Sequence, residues 1–296
     1  MIGAMPATIE ASDSPSDRAN PAQEHIVDVL IRERAPRLSG SFAWPAMRPL
    51  LYALLGYKGA RAMADAVAAL GGCEAMDHAS RLLALEITAR GLERVPGRGR
   101  LIVVMNHPTG LADGVAVYDA LRPIRPDLMF FANADAHRVN PRLAEVFIPV
   151  EWVEAKRTRE RTRLTLTLAQ AALEAERPIV IFPAGRIARR SAAGVLADPP
   201  WAPSALSLAR RHKAPILPVH LKGPSSTLFQ LFNHMSKELR DITLFHELLN
   251  KRGGAFALTA GPLLAPDAIG DPAASAPLLK AYVETVLPAD PERPFR

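Results

Sequence analysis

The sequence predicts an α/β protein in which a mostly parallel sheet is flanked by helices and preceded by a helical N-terminal region. From about residue 85 onward, short apolar runs alternate with amphipathic segments, as strands and helices do when each helix returns the chain to the same sheet. Residues 25–84 instead repeat apolar side chains at helical spacing. Apolar residues make up 49% of the 296-residue chain, which is enough for a sizeable core.

Four segments follow from these patterns. Residues 1–24 are rich in Ala, Ser, Pro and Asp without periodicity, which predicts a disordered lead-in. We expect a helical region over residues 25–84, a main domain over 85–265, and a C-terminal tail with one helix over 266–296.

The individual elements are predicted from local periodicity and from start and stop residues. In the N-terminal region, helices are predicted over 25–34, 45–69 and 73–83. In the main domain, strands are predicted over 100–105, 127–133, 177–182, 214–221 and 254–260. Further helices are predicted over 113–121, 157–176, 201–211, 226–250 in one or two pieces, and 275–286, where Ser275 and Pro277 are start signals.

Composition and charge exclude several classes of protein. Cys73 is the only cysteine, so a disulfide scaffold is excluded, the thiol is expected to be buried, and a cytoplasmic protein is the simpler expectation. Residues 1–24 lack the basic start and apolar run of a secretory signal, and no apolar run reaches the ~18 residues of a membrane span. The formal charge of +6 suits anionic lipid, nucleic acid or phosphorylated substrates.

The segment Asn-His-Pro-Thr-Gly-Leu-Ala-Asp-Gly, residues 106–114, directly follows a predicted strand. His107 lies at the carboxyl end of that strand, where open α/β sheets bind ligands, and Asp113 lies where the next helix begins. A carboxylate on Nδ1–H would fix the imidazole tautomer and leave Nε2 free to take a proton from a hydroxyl. The alternative is structural, with Asp113 capping the helix and His107 bonding a carbonyl.

A second candidate site follows the strand predicted over 177–182. That strand ends in a Pro-Gly turn, and Arg186, Arg189 and Arg190 follow. Free backbone N–H groups together with guanidinium groups suit an anion such as a phosphate. A solvated basic loop is the alternative.

Three segments in order resemble a known family. Residues 106–114, the Phe-Pro-Ala-Gly-Arg run at 182–186 and the apolar run at 215–219 resemble the first, third and fourth motifs of the glycerolipid (lysophospholipid, PlsC-like) acyltransferases. The resemblance covers roughly residues 85–262, and the preceding helical region is similar to the extension of bacterial, hemolysin-like members. It implies a glycerol-3-phosphate acyltransferase-like α/β fold.

Two of these motifs depart from the family pattern. Five residues separate His107 from Asp113, where the family usually has four. In the third motif Ala184 replaces Glu, Arg186 takes the Thr position, and Ile187 stands where Arg belongs. The histidine–aspartate pair is therefore expected to carry over from the family, whereas the residues that hold the acceptor are less well defined.

The second motif, which in the family places an Arg after a Phe-Ile pair, reads Phe-Ile-Pro-Val at residues 147–150. The nearest cations, Lys156 and Arg157, begin a cluster that also includes Arg159, Arg161 and Arg163. Three interpretations stay open: a solvated helix face, a site for lipid head groups or an acidic carrier protein, and a site for nucleic acid. Because aromatic residues are missing around the cluster, nucleic acid is not predicted as a partner.

The resemblance implies an enzyme that moves a fatty acyl group from an acyl thioester, on coenzyme A or acyl carrier protein, to a lysolipid hydroxyl. His107 would be the general base and Asp113 its orienting carboxylate, with no acyl-enzyme, bound cofactor or metal. The acceptor would be 1-acylglycerol-3-phosphate, a lyso-ornithine lipid or another acceptor lipid. Substrate-binding residues are expected at Asn106, Gly110, Gly185, Arg186, Arg189, Lys156 and Arg157.

Two further interpretations concern membranes and the rival class of function. Residues 42–57 suit a helix lying in the membrane interface, but a helix packed on the core uses the same residues. We expect a cytoplasmic protein peripheral to the inner face of the membrane. The rival is a non-catalytic, basic lipid- or nucleic-acid-binding protein.

Residues 246–250 stop one residue short of the zinc-binding His-Glu-x-x-His motif. They are expected to form a helix face whose polar groups are satisfied within the protein.

Overall fold

The computed structural model describes residues 24–151, 157–191 and 194–296. The predicted disordered lead-in, residues 1–24, lies outside the described residues except for Glu24.

Within the described residues, the main sheet has seven strands in the order β1-β9-β8-β2-β5-β3-β4. All neighbouring strands are parallel except β8 and β9, which are antiparallel. The predicted α/β class with a mostly parallel sheet is therefore confirmed. These seven strands are β1 (Glu86–Arg90), β2 (Leu101–Met105), β3 (Met129–Asn133), β4 (Phe147–Val150), β5 (Pro178–Ile181), β8 (Ile216–Lys222) and β9 (Ala255–Ala260). The short strands β6 (Arg189–Arg190) and β7 (Leu196–Ala197) form a separate antiparallel pair.

Strand β2 lies at the middle of the sheet, between β5 and β8. Val103 pairs with Val180 of β5 on one side and with Leu217 of β8 on the other. Because all three strands are parallel, their carboxyl ends meet at one edge of the sheet. The residues that follow β2 and β5 are thereby brought together, which is where ligands are expected in such a fold.

Helices cover both faces of this sheet. Those of the main domain and tail are α6 (Leu111–Leu121), α7 (Ala136–Val139), α8 (Arg159–Glu174), α9 (Ser204–His212), α10 (Thr227–Met235), α11 (Lys237–Asp241), α12 (Leu244–Leu249) and α13 (Pro272–Ala281). The N-terminal region contributes α1 (Ile26–Arg34), α2 (Pro36–Ser39), α3 (Trp44–Leu54), α4 (Tyr57–Val67) and α5 (Gly72–Leu83).

The core divides into two layers because successive side chains of a strand point to opposite faces. Leu101, Val103 and Met105 pack with α5 and α6 on one face, whereas Ile102 and Val104 pack with α8, α9 and α13 on the other. All five side chains are fully buried. Each contributes roughly 1.5–3 kcal/mol relative to an exposed position, so β2 is a rigid base for the residues that follow it.

Helices α1 to α4 form a third apolar cluster with α10, α11 and α12, to which Phe232 and Ile242 contribute. The Glu238 carboxylate of α11 accepts hydrogen bonds from the backbone N–H groups of Arg37 (3.1 Å) and Leu38 (2.8 Å) at the start of α2. This region is thus packed against the helices that flank the sheet edge described above.

Several predicted elements differ in detail. The single helix predicted over 45–69 is wrong: α3 ends at Leu54, and Gly56 adopts a left-handed conformation with φ of +66° before α4 begins. A glycine tolerates that conformation at little cost, so the chain turns there instead of continuing as a helix. The segment 226–250 forms three helices, because the Ser236 side chain caps the start of α11 and a further turn separates α11 from α12.

The tail helix also begins earlier than predicted. Asp271 caps α13 and Pro272 occupies its first turn, so Ser275 and Pro277 lie inside the helix rather than at its start. A π-helical turn, Tyr282–Val286, continues it.

All five predicted strands are present, with ends shifted by one or two residues. Prediction missed β1 and β4, which are the two edge strands of the main sheet, and the two-residue strands β6 and β7. β1 is largely exposed and polar, and β4 contains Pro149, a residue that sheets accept mainly at their edges. β1 lacks the continuous apolar run that reveals a central strand, and Pro149 interrupts the apolar run of β4.

Two expectations about exposure can be compared with the structure. The thiol of Cys73 is exposed, so its predicted burial is wrong. Helix α3 has no buried residue, and Phe42, Leu50 and Leu54 are 100%, 74% and 49% exposed. These three side chains are therefore not covered by the described part of the chain, whereas Trp44 and Tyr52 of α3 pack on the third apolar cluster. Among those residues, no helix is both long and apolar enough to cross a bilayer.

Candidate active site

The turn after β2 is anchored to the neighbouring strand. The Asn106 side chain donates to the carbonyl oxygen of Leu221 (2.8 Å) and accepts from the Leu221 N–H (2.7 Å). Gly110, the residue before α6, has φ of +104° and ψ of −138°, a conformation that glycine alone adopts readily. Two of the predicted substrate-binding residues, Asn106 and Gly110, therefore shape the backbone of the turn.

His107 and Asp113 form a hydrogen-bonded pair, with 2.8 Å between Nδ1 and Oδ2. Asp113 is completely buried. Its carboxylate also accepts from the backbone N–H groups of Thr109 (2.9 Å) and Gly110 (3.1 Å) and from the Thr109 hydroxyl (2.5 Å). Asp113 thus caps α6 and holds the imidazole at once, so the two interpretations of the sequence are compatible.

The imidazole of His107 is held in one orientation. Its ring packs on Phe182, with 4.3 Å between ring centroids and 30° between the ring planes. The side chain is 17% exposed, and within the described residues Nε2 makes no hydrogen bond. The arrangement can present Nε2 to a hydroxyl at the carboxyl edge of the sheet, as a general base requires.

The main chain of His107 is held on both sides. Its N–H donates to both oxygens of Asp198, at 3.0 and 3.2 Å, and its carbonyl accepts from the Ala188 N–H at 2.8 Å. The indole N–H of Trp201 donates to Asp198 at 2.8 Å. Burial raises the pKa of the Asp198 carboxyl to about 6, although these donors and His107 oppose the rise. Sequence reasoning missed Asp198 and Trp201.

The loop after β5 lies across this turn. Ile187 contacts Gly110 so closely that a Cβ at position 110 would lie 2.8 Å from Cδ1 of Ile187. The Gln230 side chain of α10 donates to the Ala188 carbonyl (3.1 Å) and accepts from the Arg190 N–H (3.1 Å). Helix α10 thereby fixes the backbone on both sides of Arg189. Gly185 has φ of +60° and shapes the turn that precedes this loop.

Cations cluster on the same loop and on α11. Arg186 is exposed, while Arg189 is half-buried and its Nε makes no hydrogen bond within the described residues. Burial, followed by the charges of Arg240 and Arg186, lowers the pKa of the Arg189 guanidinium, and Asp241 opposes this. Arg240 donates to Asp241 (2.7 Å) and is 14% exposed. Sequence analysis identified Arg186 and Arg189 but missed Arg240, which lies outside every motif.

Two cations that follow the second motif, Lys156 and Arg157, were also predicted to bind substrate. Lys156 falls outside the described residues. Arg157 lines a groove between α8 and α9 on the other face of the sheet, together with Arg159, Arg163 and Arg211. The described structure therefore does not bring Arg157 into the His107 site.

The helix face that resembles a zinc motif is satisfied internally, as expected. Glu247 is buried and accepts from the Lys251 ammonium at 3.2 Å. No three His, Cys, Asp or Glu side chains are grouped to hold a metal ion in the ranges that the structure covers.

In this α/β fold, the central strand β2 ends just before His107, which is hydrogen-bonded to Asp113 at the carboxyl edge of the sheet. A family model described as acyltransferase matches residues 30–260, and the chain therefore belongs to the acyltransferase family. The expectation that the chain is an acyltransferase is confirmed.

Two curated relatives are lyso-glycine lipid O-acyltransferases. The protein from Phocaeicola vulgatus is 26% identical over 197 residues, which cover 64% of this chain and 68% of the relative. The protein from Bacteroides thetaiotaomicron is 25% identical over 197 residues, covering 64% and 70% of the two chains. The solved structure of the 1-acyl-sn-glycerophosphate acyltransferase PlsC from Thermotoga maritima aligns with a TM-score of 0.47 and 15% identity, over 74% of this chain and 81% of that chain.

Proposed function

We propose that this protein transfers a fatty acyl group from an acyl thioester to the hydroxyl of an anionic lysolipid, with His107 as general base. The observation that carries the proposal is the 2.8 Å contact between Nδ1 of His107 and Asp113 at the end of β2, with Nε2 making no hydrogen bond in the described structure. Membership of the acyltransferase family and similarity to lyso-glycine lipid O-acyltransferases support the same reaction.

The reaction needs one proton relay and no acyl-enzyme. Nε2 of His107 takes the proton of the acceptor hydroxyl while the hydroxyl oxygen attacks the thioester carbonyl carbon. The tetrahedral intermediate then collapses, the carbon–sulfur bond breaks, and the imidazolium returns the proton to the departing thiolate. Asp113 keeps the Nδ1 proton in place and stabilises the imidazolium between these steps. Such positioned base catalysis contributes roughly 10²–10⁴ to the rate.

The acceptor's anionic group would bind at the cation cluster of Arg186, Arg189 and Arg240. Ala188 donates to the His107 carbonyl at 2.8 Å, so Arg189 directly follows a residue that is bonded to the main chain of the base. An Nε–H without a partner at a half-buried guanidinium is a donor that an anion would satisfy. Burial lowers the pKa of Arg189 and the charges of Arg240 and Arg186 lower it further; an anion would offset these like charges.

The lyso-glycine lipid is the first candidate acceptor, and lysophosphatidic acid is the second. Ile187 occupies the position where the family motif has Arg, and it packs on Gly110 instead of supplying a cation. This loss favours an acceptor with a single carboxylate charge over a phosphate monoester. The relatives' activity on lyso-glycine lipids supports the same order. A lyso-ornithine lipid, which also carries a cation, fits the basic cluster less well.

We further propose that the protein works at the cytoplasmic surface of a membrane. The exposed apolar side chains of the α3 segment, Phe42, Leu50 and Leu54, suit insertion into the lipid interface. Trp44 of α3 and Leu228 of α10 pack on the same apolar cluster. The donor would be acyl-coenzyme A or acyl carrier protein.

A panel of acceptors and donors tests the proposal. Purified protein would be given lyso-glycine lipid, lysophosphatidic acid or lyso-ornithine lipid, each with acyl-coenzyme A and with acyl carrier protein, and the lipids would be analysed by mass spectrometry. We expect an acylated product that is most abundant with the lyso-glycine lipid. No ester product with any pair would contradict the proposal and favour the non-catalytic binding protein.

A further inference from the structure

Asp198 lies beneath the proposed base but outside every motif. It is 91 residues away from His107 in the chain, yet both of its carboxylate oxygens lie within 3.2 Å of the His107 backbone nitrogen. Its own backbone N–H donates to Glu284 at 2.7 Å, which ties this contact to the C-terminal helical segment. The loop that carries Asp198 therefore connects the active-site turn to the far end of the chain.

The environment of Asp198 is costly for a carboxylate. It is only 6% exposed, and no Lys or Arg side chain is paired with it in the described structure. Its hydrogen-bond donors are the backbone N–H of His107 and the indole of Trp201. The titratable groups facing it are His107 on one side and Glu284 on the other, and Glu284 is itself paired with Lys280.

A buried ionisable group without a cationic partner is characteristic of functional sites, where folding stability is often lower than a neutral residue would allow. A neutral residue of the same shape would avoid the cost of burying the charge. The charge nevertheless has a use beside a general base, because the imidazole becomes positive when it takes the acceptor's proton. Asp113 accepts from Nδ1 of the His107 ring, and Asp198 accepts from the His107 main chain.

We propose that Asp198 is a positioning residue that fixes the main chain of His107 and stabilises its imidazolium through space. This inference rests on the proposed function, since it assigns Asp198 a role toward the same base. The ionised carboxylate accepts from His107 with both oxygens, whereas a protonated carboxyl keeps one oxygen as a donor and loses part of this contact. Burial raises the pKa of Asp198 to about 6, so the change falls within reach of ordinary assays.

Asp198→Asn tests the inference, with Asp119→Asn as the matched control. Burial also raises the pKa of Asp119, but this residue lies on α6 near Ser80 and Arg122, away from the site. We expect Asp198→Asn to lower kcat by about ten- to a hundredfold through loss of alignment, with little change in the acceptor KM. Asp119→Asn should leave kcat unchanged. A kcat within about twofold of wild type in Asp198→Asn overturns the inference.

The pH profile separates positioning from a merely structural role. In the wild type His107 must be neutral to act as a base, and Asp198 must be a carboxylate to accept with both oxygens. Activity therefore depends on two groups that lose protons, and the acid limb of log kcat/KM should be steeper than one unit per pH unit. In Asp198→Asn the slope should fall to one. An acid limb of equal slope in both proteins contradicts the proposal.

Two measurements keep the test independent of folding and of substrate identity. Trp201→Phe removes one donor to Asp198 but leaves the carboxylate, so the acid limb of the pH profile should move to higher pH. If Asp198→Asn does not fold, an acid limb that stays in place in Trp201→Phe overturns the inference.

Amide hydrogen exchange at His107 should accelerate in Asp198→Asn without any substrate present, and an unchanged rate contradicts the contact. If this exchange changes while no lysolipid is acylated, the proposed function fails and the positioning contact stands.

Discussion

The Asp113 carboxylate accepts from Nδ1 of His107 at 2.8 Å and, at the same time, from two backbone N–H groups at the start of α6. A single buried side chain therefore sets both the path of the helix and the orientation of the base. Because the carboxylate is held by four donors, including the Thr109 hydroxyl, it is already in place before a substrate arrives. Such preorganisation is what gives a general base its effect.

The first prediction concerns Asp113→Asn. Oδ2 accepts from the backbone N–H groups of Thr109 and Gly110 as well as from Nδ1, so the amide oxygen would take its place and the amide nitrogen would face the Thr109 hydroxyl. The neutral amide would hold the imidazole but would no longer stabilise the imidazolium. We expect kcat to fall by roughly 10²–10⁴ while the free energy of unfolding changes by only about 1 kcal/mol, measured by acyl transfer and urea unfolding. Thr109→Val, which removes one donor and leaves the carboxylate, should lose much less activity. Equal activity of Asp113→Asn and wild type would exclude a role for the Asp113 charge in stabilising the imidazolium.

The second prediction compares two glycines four positions apart. Gly110→Ala places a Cβ at φ of +104° and 2.8 Å from Ile187, so we expect a loss of about 1–3 kcal/mol in stability. Gly114 lies inside α6 with open space around it, so Gly114→Ala should stabilise by about 0.5–1 kcal/mol. Thermal unfolding of both variants is the measurement.

A double variant identifies the source of the Gly110 effect. Adding Ile187→Val shortens the contacting side chain but leaves the backbone strain. Stability should therefore recover little, and full recovery would show that crowding rather than φ causes the loss.

The third prediction concerns the cation cluster. Arg240→Gln should raise KM for an anionic acceptor by roughly tenfold and leave the donor KM unchanged, because a charged hydrogen bond is lost. Asp241→Asn should have the opposite effect, since it removes the carboxylate that competes for Arg240 at 2.7 Å. The exposed Arg252 provides the control, Arg252→Gln, with no change in either KM.

These opposite signs distinguish binding from packing. If Arg240 and Asp241 matter only as an ion pair that holds α11, both substitutions should lower stability and raise KM together. Steady-state kinetics at low and high salt would also show the acceptor KM rising with ionic strength in the wild type. A salt-independent KM would contradict an anion site at this loop.

The fourth prediction concerns the α3 segment. Replacing Phe42 and Leu50 with Asp should weaken sedimentation with anionic vesicles, because two exposed apolar anchors are lost. Activity toward acceptor presented below its micellar concentration should stay near that of the wild type. Leu278→Asp, at an exposed leucine of α13, is the control and should not affect vesicle binding. Unchanged binding of the double variant would place the membrane contact elsewhere.

The candidate site was predictable from sequence where its parts are close in the chain. His107 and Asp113 lie six positions apart, and the strand before them carries a continuous apolar run, so local pattern was sufficient. Asp198 and Arg240 were missed because only the crossing of the chain brings them to the turn. The contact between His107 and Asp198 spans 91 positions, and no local pattern records such a contact.

The same reasoning applies to the fold. Central strands were recognised because burial on both faces makes them uniformly apolar. The edge strands β1 and β4 were missed because one is polar and the other contains Pro149. The break at Gly56 was missed because residues on both sides continue the helical spacing, and only the left-handed φ of +66° ends it.

The most direct test of the central claim is acyl transfer by His107→Ala beside the wild type and His78→Ala. Released thiol and acylated lysolipid would be measured together, the first by a thiol reagent and the second by mass spectrometry. We expect one thiol per ester in the wild type and in His78→Ala, and at least about a hundredfold loss of both in His107→Ala with an unchanged unfolding temperature. Transfer by folded His107→Ala at a rate near that of the wild type would contradict the account.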